Sequence, residues 1–129
     1  MDKATTLSAP LGRLLLSVIF LLAGSSKVTG AEGTIQYIAA HGLPFPQLAY
    51  VVALIVEIGG GLLILIGYQA RAAAAVLALF CVVTAIFFHF DPADQGQMTN
   101  FLKNLAIAGG FLQIVAHGAG AWSLDNRKG

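Results

Sequence analysis

QLAYVVALIVEIGGGLLILIGYQARAAAAVLALFCVVTAIFFHF, residues 47–90, is the stretch that decides the fold. Two apolar runs, about 47–67 and 72–90, flank the connection Tyr68-Gln69-Ala70-Arg71. A helix crossing the hydrocarbon core of a bilayer needs about 20 mostly apolar residues. Each run has that length, and the connection is too short for anything but an antiparallel return. The stretch therefore reads as a hairpin of two transmembrane helices, with one acid, Glu57, inside it.

Working outward, residues 10–28 form another apolar run, and residues 100–119 a fourth. The uncharged part of the first, from Leu14 to Ser26, is about 20 Å long as a helix. Arg13 and Lys27 stand at its ends and are placed to snorkel toward headgroups. Charge before this run mimics a signal peptide, but Ser25-Ser26-Lys27 is a poor cleavage site and more spans follow, so it reads as a retained first helix. Between the first two spans, Thr29 to Gly33 reads as a turn and Thr34 to Ala40 as a short interfacial helix. His41-Gly42-Leu43-Pro44-Phe45-Pro46 breaks the chain, because proline removes a donor and fixes φ. Asp91 to Gln97 is a polar loop, and Trp122 suits an interface anchor.

The whole composition agrees. The chain is 57% hydrophobic and 10% charged, with mean hydropathy +0.81. Soluble domains are nearer a quarter charged. So few polar groups cannot cover a water-facing surface, and lipid is the solvent that fits. The expected fold is all-α, a single domain over 1–129 built as a four-helix transmembrane bundle. Of the seven Lys and Arg, Lys3, Arg13, Arg71, Arg127 and Lys128 fall on one side, and Lys27 and Lys103 on the other. The positive-inside rule makes the first side cytoplasmic, with both termini there. A net charge of +1 supplies no field for nucleic acid. The single cysteine, Cys81, excludes an intrachain disulfide and dithiol chemistry.

Glu57 is the most informative residue. It stands about ten residues from either end of its span, near the bilayer midplane, where an unpaired carboxylate is expensive. It should face the bundle interior with a partner or a proton. Arg13, Lys27, Lys103 and His89 are the candidate partners. The outer ends of the spans collect Lys27, His89, Asn100, Lys103 and Asn104. Helix packing would gather them into a polar pocket over Glu57, open to the outside. Lysine and histidine donate to oxygen acceptors, so a quinone carbonyl, a phenolic headgroup or a small anion is a fitting ligand. The competing reading is structural: the lysines snorkel, His89 caps its helix, and Glu57 pins two helices.

Lys103 and His117 lie about 40° apart around a helix and about 21 Å apart along it. Arg13 and Lys27 share that spacing, so each helix can carry a polar stripe toward the interior. His89 and His117 stand too far apart to ligate one haem. His41 with His89 is the remaining pair, beside two prolines, and haem is disfavoured. No histidine or cysteine spacing suggests a metal site. The glycines Gly24, Gly59 to Gly61, Gly67, Gly109 and Gly110 read as close-packing positions. Phe87, Phe88, Phe90 and Phe101 read as bundle and interface filling ahead of a ring-binding box.

Several of these residues recur in a familiar order. Leu11-Gly12-Arg13, Phe20-x-x-x-Gly24-x-x-Lys27, Glu57-Ile58-Gly59-Gly60-Gly61, Gly67-x-x-x-Arg71, Phe88-His89-Phe90 and Phe101-Leu102-Lys103-Asn104 with Gly109-Gly110 resemble the DoxX family. The resemblance covers about residues 10–125. It implies a four-helix bacterial inner membrane protein. Its relatives include a subunit of a thiosulfate:quinone oxidoreductase and factors tied to catechol, quinone or thiol stress. One relative works in a complex with superoxide dismutase and a sulfurtransferase. By position, Arg13, Lys27, Glu57, Arg71, His89, Lys103 and Asn104 match the family's recurring polar residues.

Three functions are then in play. In a quinone-linked oxidoreductase subunit or stress-defence factor, Glu57 and His89 carry proton chemistry, while Lys27, Lys103 and Asn104 hold the headgroup. Arg13 and Arg71 are candidates for structural ion pairs. Quinone is the expected cofactor, and a redox partner protein or a homo-oligomer the expected partner beside the bilayer. The alternatives are a non-enzymatic scaffold or small-molecule binder, and an oligomeric solute transporter coupled through Glu57.

Overall fold

The apolar runs fold as helices in the computed structural model, which describes residues 3–127. These are α1 (Lys3–Thr29), α2 (Ala31–Ala40), α3 (Pro46–Ile66), α4 (Ala70–His89) and α5 (Gln95–His117). Among the described residues there is no strand. Most of α1, together with α3 and α4, is long and apolar enough to cross a membrane. At 23 residues α5 also has the length, but Asn100, Lys103, Asn104, Gln113 and His117 dilute its apolar character. The four long helices make the bundle, and α2 is a short fifth helix against its flank. Lys128, counted above among the cytoplasmic charges, lies outside the described residues.

Packing explains why this bundle suits lipid. The buried face of α4 is Ala70, Ala73, Ala74, Leu77, Ala78, Cys81 and Ala85, one stripe at helical spacing. Small side chains there let neighbouring helices approach. Phe20 of α1 meets Phe111 of α5 at 5.5 Å between ring centroids, and Ile64 and Leu77 complete the centre. Large aliphatic residues instead face outward: Leu15, Leu22, Ile55, Leu79, Leu102 and Leu112 are all exposed. Such a surface would aggregate in water and is solvated by acyl chains.

Three local features depart from the sequence reading. The turn expected from Thr29 to Gly33 shrinks to Gly30. Gly30 N–H still reaches Ser26 O at 2.9 Å and Thr34 N–H reaches Gly30 O at 3.0 Å, so the chain bends without losing its hydrogen bonds, and Gly33 sits inside α2. The fourth long helix stops at His117, because Gly118 leaves the helix with φ +81°. Residues 118–127 then fold back over the α3–α4 turn. Leu124 and Asp125 N–H bond Ile66 O and Gly67 O at 3.1 and 2.9 Å, and the Asp125 carboxylate accepts from Gln69 and Ala70 N–H at 2.8 Å each. Finally, both α3 and α4 contain a π-helical turn, at Ile55–Gly59 and Ala85–His89.

Arg13 ties this end together. It is 2% exposed, so it does not snorkel. Its Nε donates to Ala119 O, one Nη to Ile64 O and Leu65 O, and the other to Ala121 O and Trp122 O, at 2.8–3.3 Å. A guanidinium has five N–H donors, and each has a carbonyl. The ion pair expected for Arg13 is thus replaced by a junction of α1, the C-terminal end of α3 and the tail. The carbonyl ends of a helix carry partial negative charge, which suits a cation there. Arg71 is exposed and lies over Gly118, with no salt bridge among the described residues.

Candidate functional site: a cavity over a buried carboxylate

Glu57 sits within the π-helical turn of α3 and is 4% exposed. A π turn holds one residue more than an α turn and so shifts which side chains face inward, and such turns are frequent at functional sites. Here Glu57 faces α1, where Gly24 leaves room for Ile58 to pack close. Lys27 Nζ donates to Glu57 Oε1 at 2.9 Å. Of the four candidate partners, the structure therefore selects Lys27. Tyr50 of α3 steadies the same turn of α1 by donating to Lys27 O at 2.7 Å. Glu57 Oε2 is buried and has no hydrogen-bond partner among the described residues.

Above the pair lies a cavity of about 970 Å³. All four long helices and α2 contribute to its wall. Most of the lining is apolar, including Phe20, Ile38, Val52, Phe80, Phe87 and Phe88. The polar side chains are few: Lys27 and Glu57, Ser26, Thr34, Tyr37, Thr84, His89 and Asn104, with the thiol of Cys81. Asn104 Nδ2 donates to Cys81 O at 3.2 Å and to Thr84 Oγ1 at 3.1 Å, which fixes the start of α5 against α4. His89 Nδ1 lies 3.0 Å from Gln97 Oε1, and Gln97 Nε2 donates to Phe88 O. Tyr37 stacks on Phe88 at 5.6 Å, and the His41 ring meets Phe88 at 4.9 Å, so an aromatic trio joins α2 to the end of α4.

The structure thus brings together Lys27, Glu57, His89 and Asn104 from the residues singled out in the sequence. It leaves out Lys103, which is exposed and does not line the cavity. His117 is also exposed, so the expected inward stripe of α5 turns away from the core, while that of α1, Arg13 and Lys27, does point inward. His89 bonds a side chain across the α4–α5 loop and caps no helix. Phe87 and Phe88 line the cavity, whereas Phe90 and Phe101 pair with each other at 5.3 Å. Three contributors to the cavity wall were missed: Tyr37, Gly33 and Thr84. Tyr37 and His41 stand four residues apart, the spacing of one helix face, and that signal was available. Gly33 and Thr84 carried none. Among the described residues no group of three His, Cys, Asp or Glu side chains is placed to hold a metal ion.

The DoxX family model matches residues 9–90, which reach from α1 to the end of α4 and include Arg13, Lys27, Glu57, Arg71 and His89. The chain belongs to the DoxX family. This DoxX chain is 41% identical to inner membrane protein YqjF of Escherichia coli strain K12 over 125 residues, covering 97% of this chain and 95% of the relative. It is 36% identical to inner membrane protein YphA of the same strain over 122 residues, 91% of this chain and 87% of the relative. A shorter match, 39% over 79 residues, covers 61% of this chain and 58% of a Bacillus subtilis protein named "Putative oxidoreductase CatD". No solved structure gives a significant match. With relatives of that description and several membrane-length helices, this DoxX protein is a multi-pass inner membrane protein.

Proposed function

We propose that the cavity holds the ring headgroup of a lipophilic quinone or quinol, and that the chain acts as the membrane subunit of an oxidoreductase or of a quinone and catechol defence system. The observation that carries this reading is the pairing of about 970 Å³ of mostly apolar cavity with the Lys27–Glu57 ion pair at its wall, its carboxylate buried and its lysine partly exposed. Ligand sites combine apolar walls with a few placed polar groups. An ammonium suits a ring oxygen, and a carboxylate within reach can accept a hydroxyl proton. The oxidoreductase name of CatD agrees with such chemistry. Electrons would come from a partner protein or the substrate itself. The five-to-two division of basic residues orients the Arg13 end toward the cytoplasm and the cavity toward the periplasm.

A second reading has its own observation. The Lys27–Glu57 bond joins α1 to α3, so the pair can serve as a structural pin in a non-enzymatic binder. Glu57→Gln separates the two. It keeps the shape and one oxygen but removes the carboxylate. Cells carrying the variant are challenged with a quinone or catechol while membrane abundance of the protein is measured. The functional reading expects normal abundance with protection reduced at least about tenfold in dose, the scale of losing one general base. Full protection at normal abundance would contradict it, and lost abundance would favour the pin.

A further inference from the structure

The hydrogen bonds already made inside the cavity decide which form of a headgroup it can satisfy. Both N–H donors of Asn104 are used, on Cys81 O and Thr84 Oγ1, which leaves its Oδ1 as a free acceptor. Thr84 spends its hydroxyl hydrogen on the carbonyls of Phe80 and Cys81. Gln97 presents its carbonyl oxygen to His89 because its amide nitrogen is held on Phe88 O. A neutral His89 therefore carries its proton on Nδ1, and Nε2 is left as an acceptor. Glu57 Oε2 is a buried acceptor with nothing to accept from. The hydroxyls of Ser26, Thr34 and Tyr37 can donate or accept, so they discriminate nothing. Among the lining side chains, Lys27 is the one that can donate but not accept, with spare donors after its bond to Glu57.

We infer that the cavity selects a hydrogen-bond-donating headgroup, a hydroquinol, catechol or phenol, over the oxidised quinone. This rests on the proposal that the cavity is a ring-headgroup site. A hydroxyl can donate to Glu57 Oε2, and a hydrogen bond to a carboxylate is among the stronger kinds. A second hydroxyl finds Asn104 Oδ1 or His89 Nε2. A quinone can accept from Lys27 and from a lining hydroxyl, but it donates nothing, so Glu57 Oε2 stays unpaired. Leaving such a buried group unmade is where binding free energy is lost.

The test uses three probes of nearly equal apolar surface: decylubiquinol, decylubiquinone and the O-methylated quinol. Binding to the full chain in mild detergent is measured without oxygen by equilibrium dialysis. The expected result is that the quinol binds at least about tenfold more tightly than either other probe. Because Glu57→Gln offers an amide that can turn a donor toward the ligand, it is expected to bring quinol and quinone toward parity. Equal binding of quinol and quinone by the unmodified protein overturns the selectivity while leaving the headgroup site standing. Tighter quinone binding reverses it. Failure of all three probes to bind overturns both the selectivity and the site. The ligand series needs no variant, so a Glu57→Gln chain that folds poorly does not blunt it.

Discussion

At the scale of single residues, two buried charges do different work. Arg13 faces only carbonyl oxygens, and each of its five donors is used. Glu57 has one oxygen bonded and one free. Saturation is what a structural residue needs, and an open valence is what a binding residue keeps. Arg13→Lys is therefore predicted to lower stability by about 3 kcal/mol, because lysine has three donors for five carbonyls and no planar fork. Thermal unfolding in detergent reads the loss. Faster proteolysis at residues 119–127, whose carbonyls the guanidinium holds, would accompany it. The importance of Glu57 was legible from its depth in the second run alone. The choice of Lys27 as its partner was not, because the π-helical turn at Ile55–Gly59 shifts the inward register and apolar spacing does not announce such a turn. The role of Arg13 was hidden for a different reason: its partners are backbone carbonyls, which every residue carries.

At the scale of elements, helix identity followed from run length, and helix ends followed from local chemistry that runs do not encode. Gly67 closes α3 with φ +71°, and Tyr68 N–H reaches back to Leu63 O at 3.0 Å, a Schellman turn. Gly30 fell inside an expected five-residue turn, yet helical hydrogen bonds continue on both sides of it. The folded-back tail caps α4 through Asp125, a contact that run lengths do not encode. Contact between α1 and α3 depends on Gly24, where an added methyl would collide with Ile58. Gly24→Ala is predicted to lower stability by about 2 kcal/mol. Adding Ile58→Ala, which removes the colliding atoms, should cost less than the sum of the two single changes. A double-mutant cycle of unfolding free energies checks this, and strict additivity would mean that the helices do not meet there.

At the scale of the whole molecule, the bundle is polar at its two ends for unlike reasons. One end is closed by Arg13 and the folded-back tail. The other holds a cavity that needs α2 as a wall, since Gly33, Thr34, Tyr37 and Ile38 all line it. The sequence pointed to a polar mouth of span ends. What folds is a mostly apolar chamber with few polar groups, because Lys103 turns outward while Phe87 and Phe88 turn in. Gly33 offers the most direct handle on that chamber. It lines the cavity, and a Cβ placed on it would meet nothing within 4 Å. Gly33→Leu should fill space without a clash and should raise helix stability by up to about 1 kcal/mol. Protein purified in mild detergent is extracted with organic solvent, and the quinone and quinol recovered per chain are measured for the unmodified chain and for Gly33→Leu. Substantial recovery from the first and loss of most of it from an equally stable Gly33→Leu is the predicted result. Recovery unchanged by filling the cavity, or none from either protein, would contradict the account.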